Sequence, residues 1–246
     1  MDLGLKDKVI IVTGGAKGIG AAIVSALEAE KAIPVIIGRS SDDNESIIKA
    51  ELSDPMQCEE AITTAIKQYG RIDGLVNNAG VNDGVGLEKG DYNSFIASLH
   101  KNLIHYYLIA HFALPELIKS KGSIVNIGSK VAETGQGNTS AYAASNGGRN
   151  ALTREWAVEL LKYGIRVNAV IVAESYTPLY EKWINSLPNP SQKLKEINER
   201  IPLGKRMTTP EEIANMVVFL LSERSSHTTG QLIHVDGGYT HLDRAL

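Results

Sequence analysis

The chain has 246 residues, and 25 Lys and Arg against 28 Asp and Glu give it a net charge of −3. Apolar residues make up 43% and aromatics 6%, an ordinary globular balance, and no broad positive field exists to attract nucleic acid or an anionic membrane. Cys58 is the only cysteine, so no internal disulfide can form, and no apolar run reaches the roughly 18 residues of a membrane helix. A soluble, cytoplasmic protein without a signal peptide is expected.

Residues 8–13 (KVIIVT) are apolar and β-branched and stop at Gly14 and Gly15, the pattern of a strand buried on both faces. From Ile19 the apolar residues recur at helical spacing. Residues 33–37 (IPVII) read as a second strand and 45–52 (ESIIKAEL) as a third. A helix is predicted over 55–69 and a fourth strand at 74–76. A long helix follows over 91–119, interrupted or bent near Pro115. Residues 123–127 (SIVNI) and 166–172 (RVNAVIV) are strands on either side of a helix over 141–163. The stretch 178–200 is polar and carries Pro178, Pro188 and Pro190, which predicts a helical insertion or lid. A helix over 210–221 and a strand over 231–235 complete the chain. Strands alternate with helices throughout and no domain boundary interrupts them. The expectation is one doubly wound α/β domain over 1–246 with a parallel sheet and right-handed crossovers.

The turn after the first strand reads Thr13-Gly14-Gly15-Ala16-Lys17-Gly18-Ile19-Gly20. Glycines at a strand–helix junction let the backbone approach a pyrophosphate, and the helix start beyond offers free N–H groups. The spacing differs from G-x-G-x-x-G, but the position matches a dinucleotide site. About 20 residues on, where an acidic residue would bind a ribose 2′-hydroxyl, stand Ile37-Gly38-Arg39-Ser40. Arg39 can pair with a 2′-phosphate, which favours NADP, while Asp42 and Asp43 nearby keep NAD open.

Ser129 follows the fifth strand and Tyr142 opens the next helix, thirteen residues on. That rim is where ligands bind in open α/β sheets. A tyrosine with a lowered pKa serves as acid or base in alcohol–carbonyl chemistry.

These residues join Asn77-Asn78-Ala79-Gly80, Asn102, Ser145, Arg166-Val167-Asn168-Ala169, Thr177-Pro178 and Val235-Asp236-Gly237-Gly238. Together, in this order, they resemble the short-chain dehydrogenase/reductase family along essentially the whole chain. The resemblance implies a seven-stranded Rossmann sheet, hydride exchange with NAD(P) and a homotetramer. It makes Tyr142 the proton-transferring residue, Ser129 the group that orients the substrate oxygen, and Asn102 the holder of a proton-relay water. It places Gly14, Lys17, Gly18, Ile19, Gly20, Asn78, Ala79, Gly80 and Ser175 against the cofactor. Glu51 and Leu52 would border the adenine, and Thr177 would face the nicotinamide side. Asn77, Asn78, Arg166, Asn168 and Asp236 read mainly as structural ties.

One departure stands out. The family has lysine four residues after the tyrosine, and this chain has Asn146. The family lysine lowers the tyrosine pKa, an effect of about 1–3 units for an opposite charge nearby, and binds the nicotinamide ribose. Asn146 has no charge but has the polar atoms to meet a ribose hydroxyl or a water. An engineered inactive variant, a natural slow or substrate-assisted enzyme, and a dinucleotide-binding protein without chemistry are all open. Gly147, Gly148 and Arg149 keep the usual small-residue pattern around it, which suggests a local change. On that reading Asn146→Lys raises turnover at least about tenfold, as one restored charge implies. A second departure is Val172-Ala173, where relatives have Pro-Gly.

The loops that would meet substrate, around Asn82 to Glu88, Glu133 to Ser140 and Glu174 to Tyr176, are rich in polar side chains. They match a polyhydroxylated small molecule better than a steroid or acyl chain, although loops are polar in general. The phrases GVNDGVGLE, ETGQGNTSAYAAS and TREWAVEL resemble bacterial aldose dehydrogenases of the L-fucose type. That resemblance implies oxidation of an anomeric hydroxyl to a lactone, with Glu88, Gln136, Asn138, Glu174 and Trp183 as sugar contacts. A 3-oxoacyl thioester or ketone reductase and a non-catalytic dinucleotide-binding oligomer are the alternatives. No metal site is expected, because one cysteine and scattered histidines show no ligand spacing.

Overall fold

The computed structural model describes residues 2–39 and 46–242. Seven strands form one all-parallel sheet in the order β3-β2-β1-β4-β5-β6-β7. They are β1 (Val9–Thr13), β2 (Ile33–Gly38), β3 (Ile47–Lys49), β4 (Gly74–Asn77), β5 (Ser123–Ser129), β6 (Arg166–Val172) and β7 (Leu232–Val235). The expected Rossmann sheet is therefore present, and its strand order reverses between β1 and β4. There the C-terminal ends of neighbouring strands open the crevice in which such folds bind ligands.

Successive residues of each central strand face opposite sides, so one sheet feeds two cores. Ile11, Ile37, Leu75, Ile124 and Val167 pack with α2 (Pro55–Tyr69), α4 (His105–Ser120) and α5 (Ser140–Glu159). Val12, Ile36, Val76, Val125 and Val170 pack with α1 (Gly18–Ala29) and α8 (Pro210–Leu221). The apolar runs follow from this double burial. No helix among the described residues is long and apolar enough to cross a membrane.

Two expectations change, and the helical character expected of 178–200 is found as a pair of helices. β3 spans only Ile47–Lys49, shorter than predicted, and the predicted start at Glu45 lies outside the described residues. The long helix is not interrupted at Pro115, which sits inside α4. Its irregularity is a π-helical turn, His100–Ile104, that joins α3 (Tyr92–Leu99) to α4. An extra residue in a turn displaces local carbonyls from the i→i−4 ladder, and such turns mark functional sites. The stretch 178–200 is two helices, α6 (Pro178–Ile184) and α7 (Pro190–Glu199), joined through Asn189 at φ 52°.

The bottom of the sheet is pinned by Asp73. Its carboxylate accepts from Val9 N at 2.9 Å and from Arg71 Nε and Nη2, while Lys8 lies 3.7 Å away. Its side chain is only 3% exposed. Asp73→Ala is expected to lower stability by about 2 kcal/mol, because the Val9 N–H is left buried without an acceptor. Urea unfolding of the two proteins checks this, and an unchanged midpoint would contradict it.

Candidate active site

The glycine turn is braced by side chains at the ends of β1 and β4. Thr13 Oγ1 accepts from the backbone N–H groups of Asn78 and Ala79 at 2.9 and 3.1 Å. Asn78 Nδ2 donates to the carbonyls of Thr13 and Gly14 at 2.9 and 3.3 Å. Asn77 ties β4 to β5 through Asn126 Oδ1, at 3.0 Å. Gly14 and Gly18 take φ of +66° and +57°, which side-chain-bearing residues rarely adopt. A Cβ on Gly20 would lie 2.2 Å from the Gly14 carbonyl oxygen. Lys17, the N-cap of α1, gives no side-chain acceptor to the first turn. A twelve-residue helix thus presents its free N–H groups and positive dipole end to a glycine cradle, which fits a dinucleotide diphosphate. Thr177, the N-cap of α6, stands against this turn: a Cβ on Gly18 would meet its Cβ at 3.4 Å.

At the end of β2, Arg39 is largely exposed, and its guanidinium lies 3.9 Å from a carboxylate oxygen of Glu51. Glu51 Oε1 also accepts from the Ser53 hydroxyl at 2.9 Å. Leu52 is buried next to Cys58, which points its thiol at the Leu52 carbonyl. Ser40, Asp42 and Asp43 lie outside the described residues.

Ser129 is the last residue of β5, half-buried, and its hydroxyl accepts from Val131 N at 3.4 Å. Tyr142 is half-buried in the first turn of α5. The two are joined by a short 3₁₀ turn, Lys130–Ala132, and the loop beyond it, and α5 packs on that turn. Glycine cradle, serine and tyrosine therefore all stand at the C-terminal rim of the sheet.

Behind this rim the structure adds to the sequence-based expectations. Asn102 lies in the π turn, and its Oδ1 accepts from Val81 N at 2.7 Å. Its carbonyl accepts from Arg149 Nε at 2.6 Å. Asn146 is fully buried. Its Nδ2 donates to the Tyr142 carbonyl at 2.8 Å and its Oδ1 accepts from Arg149 Nη1 at 3.1 Å. The amide is thus engaged with its own helix and with the Arg149 guanidinium. Arg149 was expected only as part of a small-residue pattern. It follows Ser145 and Asn146 on the buried stripe of α5, and a charged residue at that spacing was the signal available in the sequence.

The expected sugar contacts separate. Glu88, Gln136 and Asn138 are exposed on loops, with Asn138 at φ 55°. Trp183 is 43% exposed on α6 and packs edge-on against Tyr180, centroids 5.1 Å apart. Glu174 is not a free contact: it forms a tight, largely buried ion pair with Lys130, whose ammonium also lies 4.0 Å from the Tyr239 ring centroid. Burial and the Glu174 carboxylate push the Tyr180 phenol well above its ordinary pKa. This group anchors α6, and sequence separation hid it. Ser175 is buried, and it bridges to Thr208. The histidines are not all scattered either. Glu133, His234 and His241 bring their ligand-type atoms within 4.8 Å of one another, with Glu133 Oε2 3.1 Å from His234 Nε2 and 3.4 Å from His241 Nε2. Arg166, Asn168 and Asp236 bind backbone groups of the chain's last third, as structural ties do.

His105 sits where the π turn ends, its ring nitrogens 3.1 Å from the His100 carbonyl and 3.2 Å from that of Ala79. Burial first, and the Arg149 charge second, lower its pKa from 6.5 to about 4. The folded protein thus prefers the neutral ring, while the unfolded chain takes up the proton near pH 6.5. The stability this gives is complete above pH 6.5 and is lost as pH falls toward 4. A loss of about 3 kcal/mol over that window is expected. Urea unfolding at several pH values should show a flatter profile for His105→Gln, and parallel profiles would contradict the assignment.

Comparison with known proteins agrees with this architecture. The family model described as Enoyl-(Acyl carrier protein) reductase matches residues 14–240. The chain is 36% identical to a 3-oxoacyl-[acyl-carrier-protein] reductase of Thermotoga maritima, over 95% of this chain and 98% of that one. It is 36% identical to the L-fucose dehydrogenase of Bos taurus, over 94% of this chain and 88% of the other. The solved structure of Thermoplasma acidophilum aldohexose dehydrogenase superposes with a TM-score of 0.93 at 32% identity, covering 100% of this chain and 99% of that one. With its parallel seven-stranded sheet and glycine cradle, the chain belongs to the short-chain dehydrogenase/reductase family of NAD(P)-dependent oxidoreductases.

Proposed function

We propose that this enzyme oxidises the anomeric hydroxyl of a pyranose aldose of the L-fucose kind to the lactone. The observation that carries the reading is that the glycine cradle at β1, Ser129 at the end of β5 and Tyr142 at the head of α5 stand on one rim. Similarity to an L-fucose dehydrogenase and to an aldohexose dehydrogenase supports a sugar. So do the exposed polar side chains of Glu88, Gln136 and Asn138 and the partly exposed indole of Trp183, a ring type that suits the apolar face of a pyranose.

In this reading a bound NAD(P) dinucleotide would supply the acceptor for a hydride from the anomeric carbon. Tyr142, as the phenolate, takes the hydroxyl proton as the C–H bond breaks and the carbonyl forms. Ser129 donates a hydrogen bond to the substrate oxygen and fixes its angle of approach. Gly14, Lys17, Gly18, Ile19 and Gly20 would hold the diphosphate, Glu51 and Leu52 would border the adenine, and Ala79, Gly80, Ser175 and Thr177 would face the nicotinamide side. Arg39, exposed and only loosely matched with Glu51, favours the 2′-phosphate of NADP over NAD. The stretch 178–200 closes over the sugar, and the working unit is a cytoplasmic homotetramer of single-domain subunits.

A second reading has its own support. The Thermotoga maritima relative acts on a 3-oxoacyl thioester. Purified protein with NADP or NAD and a panel of aldoses, against NADPH with an acetoacetyl thioester, decides between the two by reduced-cofactor absorbance. Turnover with aldoses supports the proposal. Turnover with the thioester alone overturns it, and cofactor binding with no turnover on either would mark a binding protein.

A further inference from the structure

Arg149 is 3% exposed, and no carboxylate pairs with it among the described residues. Nε donates to the Asn102 carbonyl at 2.6 Å, and Nη1 is shared between the Ile127 carbonyl and Asn146 Oδ1, each at 3.1 Å. Nη2 is buried without a hydrogen bond. It points at the backbone of Gly80, where a Cβ would come within 2.8 Å of it. The guanidinium lies 4.2 Å from the Tyr106 ring centroid and 6.0 Å from that of Tyr142. A cation buried among neutral acceptors is unfavourable, and a guanidinium cannot escape by losing its proton. Such a charge is stabilised when an anion forms beside it.

The titratable neighbours narrow the choice of anion. His105, where the π turn meets α4, is kept neutral by burial and by the Arg149 charge, against the pull of the two carbonyls at its ring nitrogens. Tyr106 on α4 is pushed up to about 12 by burial, and its hydroxyl donates to the Ile127 carbonyl at 3.0 Å, so it stays a phenol. Lys101 on the π turn is paired with Asp83, and Glu51, whose field reaches His105, is engaged with Ser53 and Arg39. On α5 itself stands Tyr142, half-buried, with its ring centroid 6.0 Å from the guanidinium.

We infer that Arg149 is the fixed cation that favours the ionised form of Tyr142, and that Asn146 holds its guanidinium in place. The inference rests on the reading of Tyr142 as proton acceptor. The positive charge missing at position 146 is thus supplied from one helical turn further along α5, through the π turn that releases the Asn102 carbonyl. Arg149 is a positioning residue: it acts through the phenol and exchanges no proton itself. Asn146 fits the role because it is neutral, and it bridges the Tyr142 carbonyl and the guanidinium. The expectation that Asn146→Lys alone raises turnover is therefore reversed. A lysine would set a second buried cation against the first.

The test compares Arg149→Leu, Arg149→Lys and Asn146→Lys, alone and with Arg149→Leu. The readouts are the pH profile of kcat and the titration of Tyr142 followed by NMR of ring-carbon-labelled tyrosine, assigned by Tyr142→Phe. In Arg149→Leu the acid limb and the phenol titration should both move up by about one to three pH units, with kcat at neutral pH falling about 10- to 1000-fold. Arg149→Lys should stay within about tenfold of the parent, because the charge is kept. Asn146→Lys alone should lose at least about tenfold, and Asn146→Lys with Arg149→Leu should recover most of it. A phenol titration unchanged in Arg149→Leu overturns the inference. Should that variant fail to fold, identical phenol titrations in Arg149→Lys and Arg149→Gln overturn it instead. Full turnover in Tyr142→Phe sinks the proton-acceptor reading separately, and the phenol titration alone then decides the role of Arg149.

Discussion

Tyr142→Phe is expected to lower turnover by about 10²- to 10⁴-fold while leaving dinucleotide binding intact. The ring keeps its place in the first turn of α5 and its position beside Arg149, so the cradle at the other end of the crevice is untouched. What is lost is one oxygen, the atom proposed to accept the hydroxyl proton. Without it the alcohol must shed its proton to water during hydride departure, and the loss falls on kcat. Steady-state kinetics with the best aldose and cofactor fluorescence measure the two halves. Wild-type kcat in the phenylalanine variant would remove Tyr142 from the mechanism.

Gly20→Ala is the second large effect, and it reverses the usual benefit of alanine in a helix. Gly20 lies in the first turn of α1, where alanine gains roughly 1 kcal/mol over glycine. The new methyl would come within 2.2 Å of the Gly14 carbonyl oxygen and 2.9 Å of its carbon, which are backbone atoms and cannot rotate away. Relief requires the glycine turn to shift, at a cost of about 3 kcal/mol for overpacking, so a net loss near 2 kcal/mol is expected. The same shift breaks the Asn78 bonds to the Thr13 and Gly14 carbonyls and closes the cradle. Dinucleotide affinity should fall at least about tenfold, since 1.4 kcal/mol suffices for that. Thermal unfolding and calorimetric cofactor binding check both parts. An alanine variant as stable as the parent, with unchanged affinity, would contradict the close approach.

Legibility in the sequence followed the range of the interaction. Strands β1 and β2 are nearly continuous apolar runs, and β5 and β6 are apolar runs broken inside by Asn126 and Asn168, because both faces of the sheet are covered, and that pattern is local. β3 reached only three residues, since an edge strand makes fewer pairings than its apolar content suggests. Pro115 carried a breaker signal within α4, yet the helix changes form fifteen to eleven residues earlier, at the π turn. That turn is stabilised by partners far away in the chain: Val81 on Asn102 Oδ1 and Arg149 on the Asn102 carbonyl. The Lys130–Glu174 pair was missed for the same reason, and Glu174 was read as a sugar contact.

By itself the sequence determined an alternating α/β chain, a glycine turn at the first strand–helix junction, a serine and a tyrosine at the next usable rim, and the lack of a lysine at position 146. Each of these is written in neighbouring residues, through periodicity and backbone conformational freedom. Only the tertiary structure decided where the site's positive charge resides. A side chain's charge acts according to what surrounds it, and Arg149 is enclosed by the π turn, β5 and the Tyr106 ring only once α5 has packed on the sheet.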